Sequence, residues 1–401
     1  MQQKQAKKNL KLFYLFEAFR EPLFWGAILI TYIQKVSGMD LADIFFMESV
    51  CVFVMIFLEI PTGALADLLG RKKTIIAGQI LELICLILFA LATKPLNIWI
   101  SNILCFAGVA LAHGADTSLL YDTLKFLGRA DQEFKKIKGR ATSGLLLLAA
   151  LCNLSSGYLA EINIRLPIYL AAGFFSISLI SSLFFSEPPI SEEQKFNAKK
   201  HLNLIKLSIL FVANHQRIKW LIGFTLLIGT ASKIWFFTYN PYFELVNLPL
   251  RYYGWLFFGM GLIAAASSYW AAWLAKKLGN LASIIFMISL ISLPILAMGT
   301  LVNIWITLLA LVQNVVRGYF TPFTDHLIHD YLDSSNRATV FSIISALRGL
   351  NDALFLFLFG NILRGLGLPL SLQILGIASL LAGLILIIKY NRIFNLSVKP
   401  A

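Results

Sequence analysis

The chain has 401 residues, 58% of them hydrophobic and 14% charged, with a mean hydropathy of +0.75. A water-soluble domain is nearer about 45–50% apolar and about 25% charged, so that class is excluded. The formal net charge of +13 reads as a nucleic-acid signal until the bases are placed along the chain.

Apolar segments of about 20 residues, long enough to cross a bilayer, recur along the whole chain. Twelve spans are read, at about 12–34, 41–66, 74–92, 98–120, 141–160, 166–185, 220–245, 252–275, 281–300, 303–325, 338–361 and 367–389. The fold class is therefore an all-α membrane protein with twelve transmembrane helices. The first residues are polar and basic and no small-residue cleavage site follows the first apolar run, so no removable signal peptide is expected. With the N-terminus inside, the outer loops hold five bases, Lys35, Lys94, Arg165, Arg251 and Arg364, and four more lie within spans. The remaining 25 of the 34 Lys and Arg fall in inner loops and tails. That asymmetry places both termini in the cytoplasm, and the basic charge is topology rather than a nucleic-acid site. Cys51, Cys85, Cys105 and Cys152 all fall inside spans and read as small buried apolar residues, not a disulfide framework.

Between spans 2 and 3 stands Glu59-Ile-Pro-Thr-Gly-Ala-Leu-Ala-Asp-Leu-Leu-Gly-Arg-Lys-Lys73. Gly63, Ala64 and Ala66 thin the helix end, Gly70 permits a tight turn, and Arg71, Lys72 and Lys73 follow just outside the apolar run. Span 4 leads into Gly114-Ala-Asp-Thr-Ser-Leu-Leu-Tyr-Asp122. Span 6 ends at Ser186-Glu-Pro-Pro189, before the polar stretch Ser191–Lys200 and a basic, amphipathic segment, His201–Lys219, expected to lie on the inner surface. The second half repeats the first. Ala66–Gly70 aligns with Ala275–Gly279 at an offset of 209, and Arg140-Ala-Thr142 recurs as Arg337-Ala-Thr339. The second copy has Lys276 in place of Asp67 and Asn280 in place of Arg71. The expected organisation is a six-helix bundle over residues 1–190, a cytoplasmic linker with an amphipathic helix over 191–218, and a second six-helix bundle over 219–401.

The run Gly63–Lys73 resembles the loop signature between the second and third spans of the major facilitator superfamily, with Glu59, Pro61 and Thr62 as in bacterial drug-efflux-like, drug:proton antiporter members. The resemblance implies two pseudo-symmetric six-helix bundles and transport by alternating access. It implies a gating motif of Gly63, Asp67, Gly70, Arg71 and Lys72, with Asp67 contacting the start of span 11, where Ser334-Ser-Asn-Arg337 offers free N–H groups and the Arg337 cation. It also implies that spans 1, 4, 7 and 10 line a central cavity. The arginine such members carry midway along span 4 is absent from Ser101–Ala112.

Nine charges lie deep inside spans: Glu17, Glu21, Glu48, Glu82 and Asp352, with Arg20, Lys233, Arg317 and Arg348. At about 3 kcal/mol each in lipid, they must pair with one another or line a wet cavity. Glu17, Glu21 and Glu48 have near partners and read first as structural ion pairs. Glu82, with Glu21 or Asp352 as alternates, is the candidate for exchanging protons, since no base lies near it in sequence. Asp352, one turn from Arg348, is expected to pair with it. Arg20, Trp25, Lys233, Tyr239, Arg317 and Arg348 are the candidate substrate contacts, giving a cavity that is positive on the second half and negative on the first. Pro241 in Tyr239-Asn-Pro-Tyr242 is expected to unwind span 7 as an outer gate.

His326 and His329 stand one turn apart beside Asp325 and Asp330, but at a span end where polar residues are expected, so no metal is assigned. No phosphate loop and no nucleophile–base set occurs, so neither a cofactor nor an enzymatic reaction is expected. The expectation is a monomeric, multi-pass transporter of the bacterial inner membrane, carrying out proton-coupled efflux of a small organic solute that is anionic or zwitterionic; its partners are that solute, protons and the bilayer. Two alternatives stay open: an importer or exporter of an anionic nutrient or siderophore, and a non-transporting membrane sensor.

Overall fold

The computed structural model describes residues 3–112, 114–188, 212, 214–331 and 334–395. Within them every element is helical. In chain order they are α1 Gln3–Phe19, α2 Leu29–Ser37, α3 Leu41–Leu69, α4 Arg71–Ala90, α5 Pro95–Ala112, α6 Ala115–Phe126, α7 Ala130–Ile162, α8 Leu166–Leu183, α9 Gln216–Leu245, α10 Arg251–Tyr269, α11 Ala271–Thr300, α12 Leu309–Tyr331 and α13 Ser334–Asn395. A short 3-10 turn, Ile304–Leu308, precedes α12. By length and composition nine helical stretches among the described residues can cross a membrane. One of these, Ile343–Phe394, holds expected spans 11 and 12 together, divided at Gly367, whose φ of 71° and ψ of 174° are non-helical.

Three expectations about continuity are corrected. Span 1 is not one helix. α1 stops at Phe19 and α2 starts at Leu29. Pro22 disfavours helical geometry at Glu21, and Phe24 sits at a φ of 69°. Span 7, expected to unwind at Pro241, runs unbroken to Leu245 with Pro241 inside it. The proline gives up its N–H bond, but Asn240, Tyr242 and Phe243 around it are buried, so packing keeps the helix whole. Span 4 is also divided, into α5 and α6, with Gly114 at a φ of 87°. The expected linker and its amphipathic segment up to His215 lie, but for Val212 and Asn214, outside the described residues.

The repeat is visible in the backbone. Gly70, between α3 and α4, has φ 98° and ψ 150°. Gly279, its partner at the offset of 209, has φ 74° and ψ 173° inside α11. This region of backbone space is essentially closed to residues with a Cβ, so the same glycine makes the same turn in both halves.

The chain divides into two units. The first gathers α1, α2, α3 from Val50 onward, α4 to α8 and the segment Pro249–Phe258. Its core joins Phe13 and Phe16 of α1, Ile75 of α4, Leu119, Leu120 and Leu124 of α6, and Phe185 after α8. The Arg165 guanidinium caps the end of α4, donating to the Ala90 carbonyl at 2.5 Å and the Ala92 carbonyl at 2.6 Å. The second unit gathers Leu41–Ser49, α9, α10 from Gly259, and α11 to α13. There Trp220 stacks on Phe224 and donates to the Leu386 carbonyl at 2.7 Å, tying α9 to the end of α13. Leu146, Leu147 and Ile180 remain exposed, as befits side chains facing lipid.

Candidate functional site

Each unit carries its own cluster of charged and polar side chains. In the first unit the break in span 1 leaves Arg20 just beyond the end of α1, where its guanidinium serves three acids. It meets Glu17 at 3.3 Å, Glu21 at 3.8 Å and Asp116 at 2.5 Å. Asp116 occupies the first turn of α6 and also accepts from the Thr117 N–H. Lys138 of α7 reaches Glu17 at 3.1 Å and Asp116 at 3.7 Å, and one turn on Thr142 donates to Glu17 at 3.1 Å. Glu17 is fully buried. Its three partners, two of them cations, satisfy the requirement for a charge in that place.

Glu82 of α4 stands beside this cluster. α4 and α5 approach so closely that a Cβ on Gly78 would lie 2.7 Å from the Gly108 carbonyl oxygen, and one on Gly108 would lie 2.6 Å from Glu82 Cγ. The carboxylate is thereby held in the seam between the helices. Its hydrogen-bond partner is the Gln79 amide at 3.5 Å. Its electrostatic neighbours are Cys105, Arg20, Glu21 and Asp116, but among the described residues no base lies within ion-pair distance of it. The four acids Glu17, Glu21, Glu82 and Asp116 thus face two bases, Arg20 and Lys138.

The second unit has the opposite balance. Lys233 of α9 pairs with Asp352 of α13 at 3.3 Å. Thr230 donates to the other Asp352 oxygen at 2.7 Å, and the Asn351 amide donates to Thr230 at 2.6 Å. Asp352 thus turns to Lys233 and not to Arg348, as the one-turn spacing suggested. Arg348 lies over the Phe320 ring at 5.6 Å, with its Nε buried and without an acceptor. Arg317 of α12 is exposed, and neither arginine has a carboxylate within ion-pair distance among the described residues. Arg317 lies in electrostatic reach of Tyr239. The Tyr239 hydroxyl donates to Gln313 and accepts from the Asn314 amide at 3.4 Å. Three bases therefore stand with one acid.

Of the other candidates, Trp25 packs edge-on against Phe89 at 5.9 Å. In the gating motif, Arg71 Nε stands 3.6 Å from Asp122, and the backbone N–H groups of Arg71 and Lys72 donate to Glu187 at 2.5 Å and 2.9 Å. Gly63 lies within α3, and the side chains of Asp67 and Arg337 lie outside the described residues. So do the side chains of His326, His329 and Asp330. Reading the sequence missed Asp116 and Lys138 as cluster members. The signal was present: α7 starts at Ala130, well before the expected 141, which carries Lys138 and Thr142 onto one helix face.

The sequence model of the Major Facilitator Superfamily matches residues 12–356. The chain is 22% identical over 382 residues to the "Uncharacterized MFS-type transporter YxaM" of Bacillus subtilis, covering 90% of each chain. It is 26% identical over 141 residues to "Multidrug resistance protein 2" of the same organism, 35% of this chain and 34% of that one. Among solved structures it resembles the nucleoside transporter NupG with a TM-score of 0.77 and 13% identity, over 96% of this chain and 99% of the other. A POT family transporter in complex with 5-aminolevulinic acid gives 0.75 and 14%, over 97% and 96%.

Proposed function

The chain belongs to the Major Facilitator Superfamily of membrane transporters, and on that premise we propose that it is a proton-coupled exporter of a small organic solute with an anionic group, working by alternating access. The observation that carries this reading is the second unit's surplus of cations: Arg317 is exposed on a membrane-spanning helix and Arg348 is half-buried beside Phe320, both without a carboxylate among the described residues. A cation on such a helix without a protein partner is tolerated where it faces a wet cavity, and an anionic solute there completes its pairing. The planar guanidinium of Arg317 matches a carboxylate or phosphate with two parallel hydrogen bonds. Gln313, one turn before it, supplies further polar contact. Lys233 is already neutralised by Asp352 and orients α9 against α13.

Proton coupling rests on the first unit. Glu82 is a buried carboxylate without an ion-pair base among the described residues, so protonation removes a charge that no direct partner neutralises there. Export is the direction suggested by the drug-efflux-like loop Gly63–Lys73 and by the partial match to the multidrug relative. The test is counterflow and pH-gradient-driven flux in proteoliposomes with a panel of labelled carboxylates, zwitterions and organic cations. Anionic or zwitterionic solutes are expected to exchange, and Arg317→Gln to reduce their apparent affinity more than tenfold. Exchange of cations alone, or flux indifferent to an imposed pH gradient, refutes the assignment.

A further inference from the structure

We propose that the α10–α11 junction and the Gly279 turn form a binding site for the headgroup of an anionic phospholipid, a role separate from solute transport. Three aromatic side chains project there: Tyr269 is 83% exposed, Trp270 56% and Trp273 59%. One turn beyond Trp273 stand Lys276 and Lys277, both exposed. Lys277 Nζ lies 5.0 Å from the centre of the Trp273 ring, so the indole face holds the ammonium in place. Among the described residues neither lysine has a carboxylate within ion-pair distance. The sequence offers none nearby either, since no Asp or Glu occurs from Leu245 to Thr324.

The repeat shows that this composition is particular to the second copy. At the offset of 209, Tyr269, Trp270 and Trp273 stand where the first copy has Ile60, Pro61 and Ala64, and Lys276 stands where it has Asp67. The first turn is also closed by an acid from its own unit, because Glu187 accepts from the N–H groups of Arg71 and Lys72. In the second copy Asn280 instead hydrogen-bonds Tyr390, a neutral partner. The same glycine turn therefore faces outward with two uncompensated cations and a rim of indole and phenol. Positive-inside placement sets it at the inner leaflet. Indole and phenol rings settle at headgroup depth, and lysines beside them attract anionic headgroups. A phosphodiester between Lys276 and Lys277 supplies the charge that the chain omits, while the glycerol backbone and upper acyl chain lie along Trp270 and Trp273.

The test uses the full chain in nanodiscs. Tryptophan quenching is measured with brominated phosphatidylglycerol and with brominated phosphatidylcholine, each diluted into unbrominated phosphatidylcholine. The Trp270→Phe/Trp273→Phe variant assigns the share due to these two of the chain's eight tryptophans. Preferential quenching by phosphatidylglycerol is expected, weakening with salt. Lys276→Gln/Lys277→Gln should lower the preference about 30-fold, the worth of two cations at an anionic surface, and Lys276→Arg/Lys277→Arg should restore it. Equal quenching by the two lipids in the wild-type protein overturns the proposal without recourse to variants. So does a preference that survives the glutamine pair, or one abolished by inorganic phosphate, which would mark a simple anion site.

Discussion

Arg317 and Lys233 look alike in sequence, each a lone base within a span, yet their surroundings set different consequences for removal. Lys233 neutralises Asp352, which is 7% exposed. Deleting it strands a buried carboxylate, so Lys233→Ala should destabilise the protein by about 3 kcal/mol. Lys233→Ala with Asp352→Asn should recover most of that loss, as a double-mutant cycle on thermal unfolding can measure. Arg317 neutralises no acid among the described residues, so Arg317→Ala should leave the unfolding temperature within a degree or two, since exposed substitutions stay within about 0.5 kcal/mol. Its effect should appear in solute affinity. If Arg317→Ala unfolds the protein as readily as Lys233→Ala does, the arginine is structural. The nine deep charges were legible one by one, because each breaks an apolar run. Their pairing was not, since Asp352 chose a partner 119 residues away over one four residues away. A carboxylate on a helix pairs with whatever the neighbouring helix presents, and sequence spacing does not encode that.

At the scale of elements, the spans themselves were readable because twenty apolar residues leave a segment few alternatives in lipid. The breaks were not. Span 1 parts around Arg20-Glu-Pro22, where the charges are compensated by Asp116 and Lys138, residues far along the chain. Span 7 carries its proline among buried side chains and stays whole. Both outcomes depend on what packs alongside. A tight turn was expected at Gly70 and its repeat partner was Gly279, and their surroundings now separate the two. A Cβ on Gly70 would lie 3.0 Å from the Glu187 carboxyl group, whereas one on Gly279 meets nothing within 4 Å. Alanine at either position is strained by about 1–3 kcal/mol from the backbone alone. Gly70→Ala should cost more than Gly279→Ala because it also displaces Glu187 from the N-terminus of α4. Glu187→Gln, which weakens that cap but keeps its shape, should cost about 1 kcal/mol. Thermal unfolding of the three variants in one lipid mixture gives the ranking, and equal losses for the two glycines would show that Glu187 does not hold the first turn.

For the whole molecule, the first unit's cluster is rich in acid and the second's rich in base, so on the proposed reading protons and an anionic solute bind at separate places. Separate sites can still be coupled, because both ligands act on one conformational equilibrium, and the coupling is reciprocal. Its sign depends on the direction of transport. An exporter that exchanges solute for protons must disfavour holding both, so solute affinity should fall as pH falls, by up to about tenfold per unit for a single linked proton. A symporter would show the reverse slope. Glu82→Gln fixes the carboxyl group in its neutral form and keeps its shape against Gly108. It should flatten the slope and hold solute affinity at the wild-type acidic value, while counterflow, which needs no net proton movement, persists. Arg317→Gln should lower affinity at every pH and leave the slope in place. Solute binding followed by thermal shift across the pH range separates these outcomes. A rising affinity on acidification would reverse the direction assigned to transport, and a slope untouched by Glu82→Gln would move the proton to another carboxylate, with Glu21 of the same cluster the first to examine.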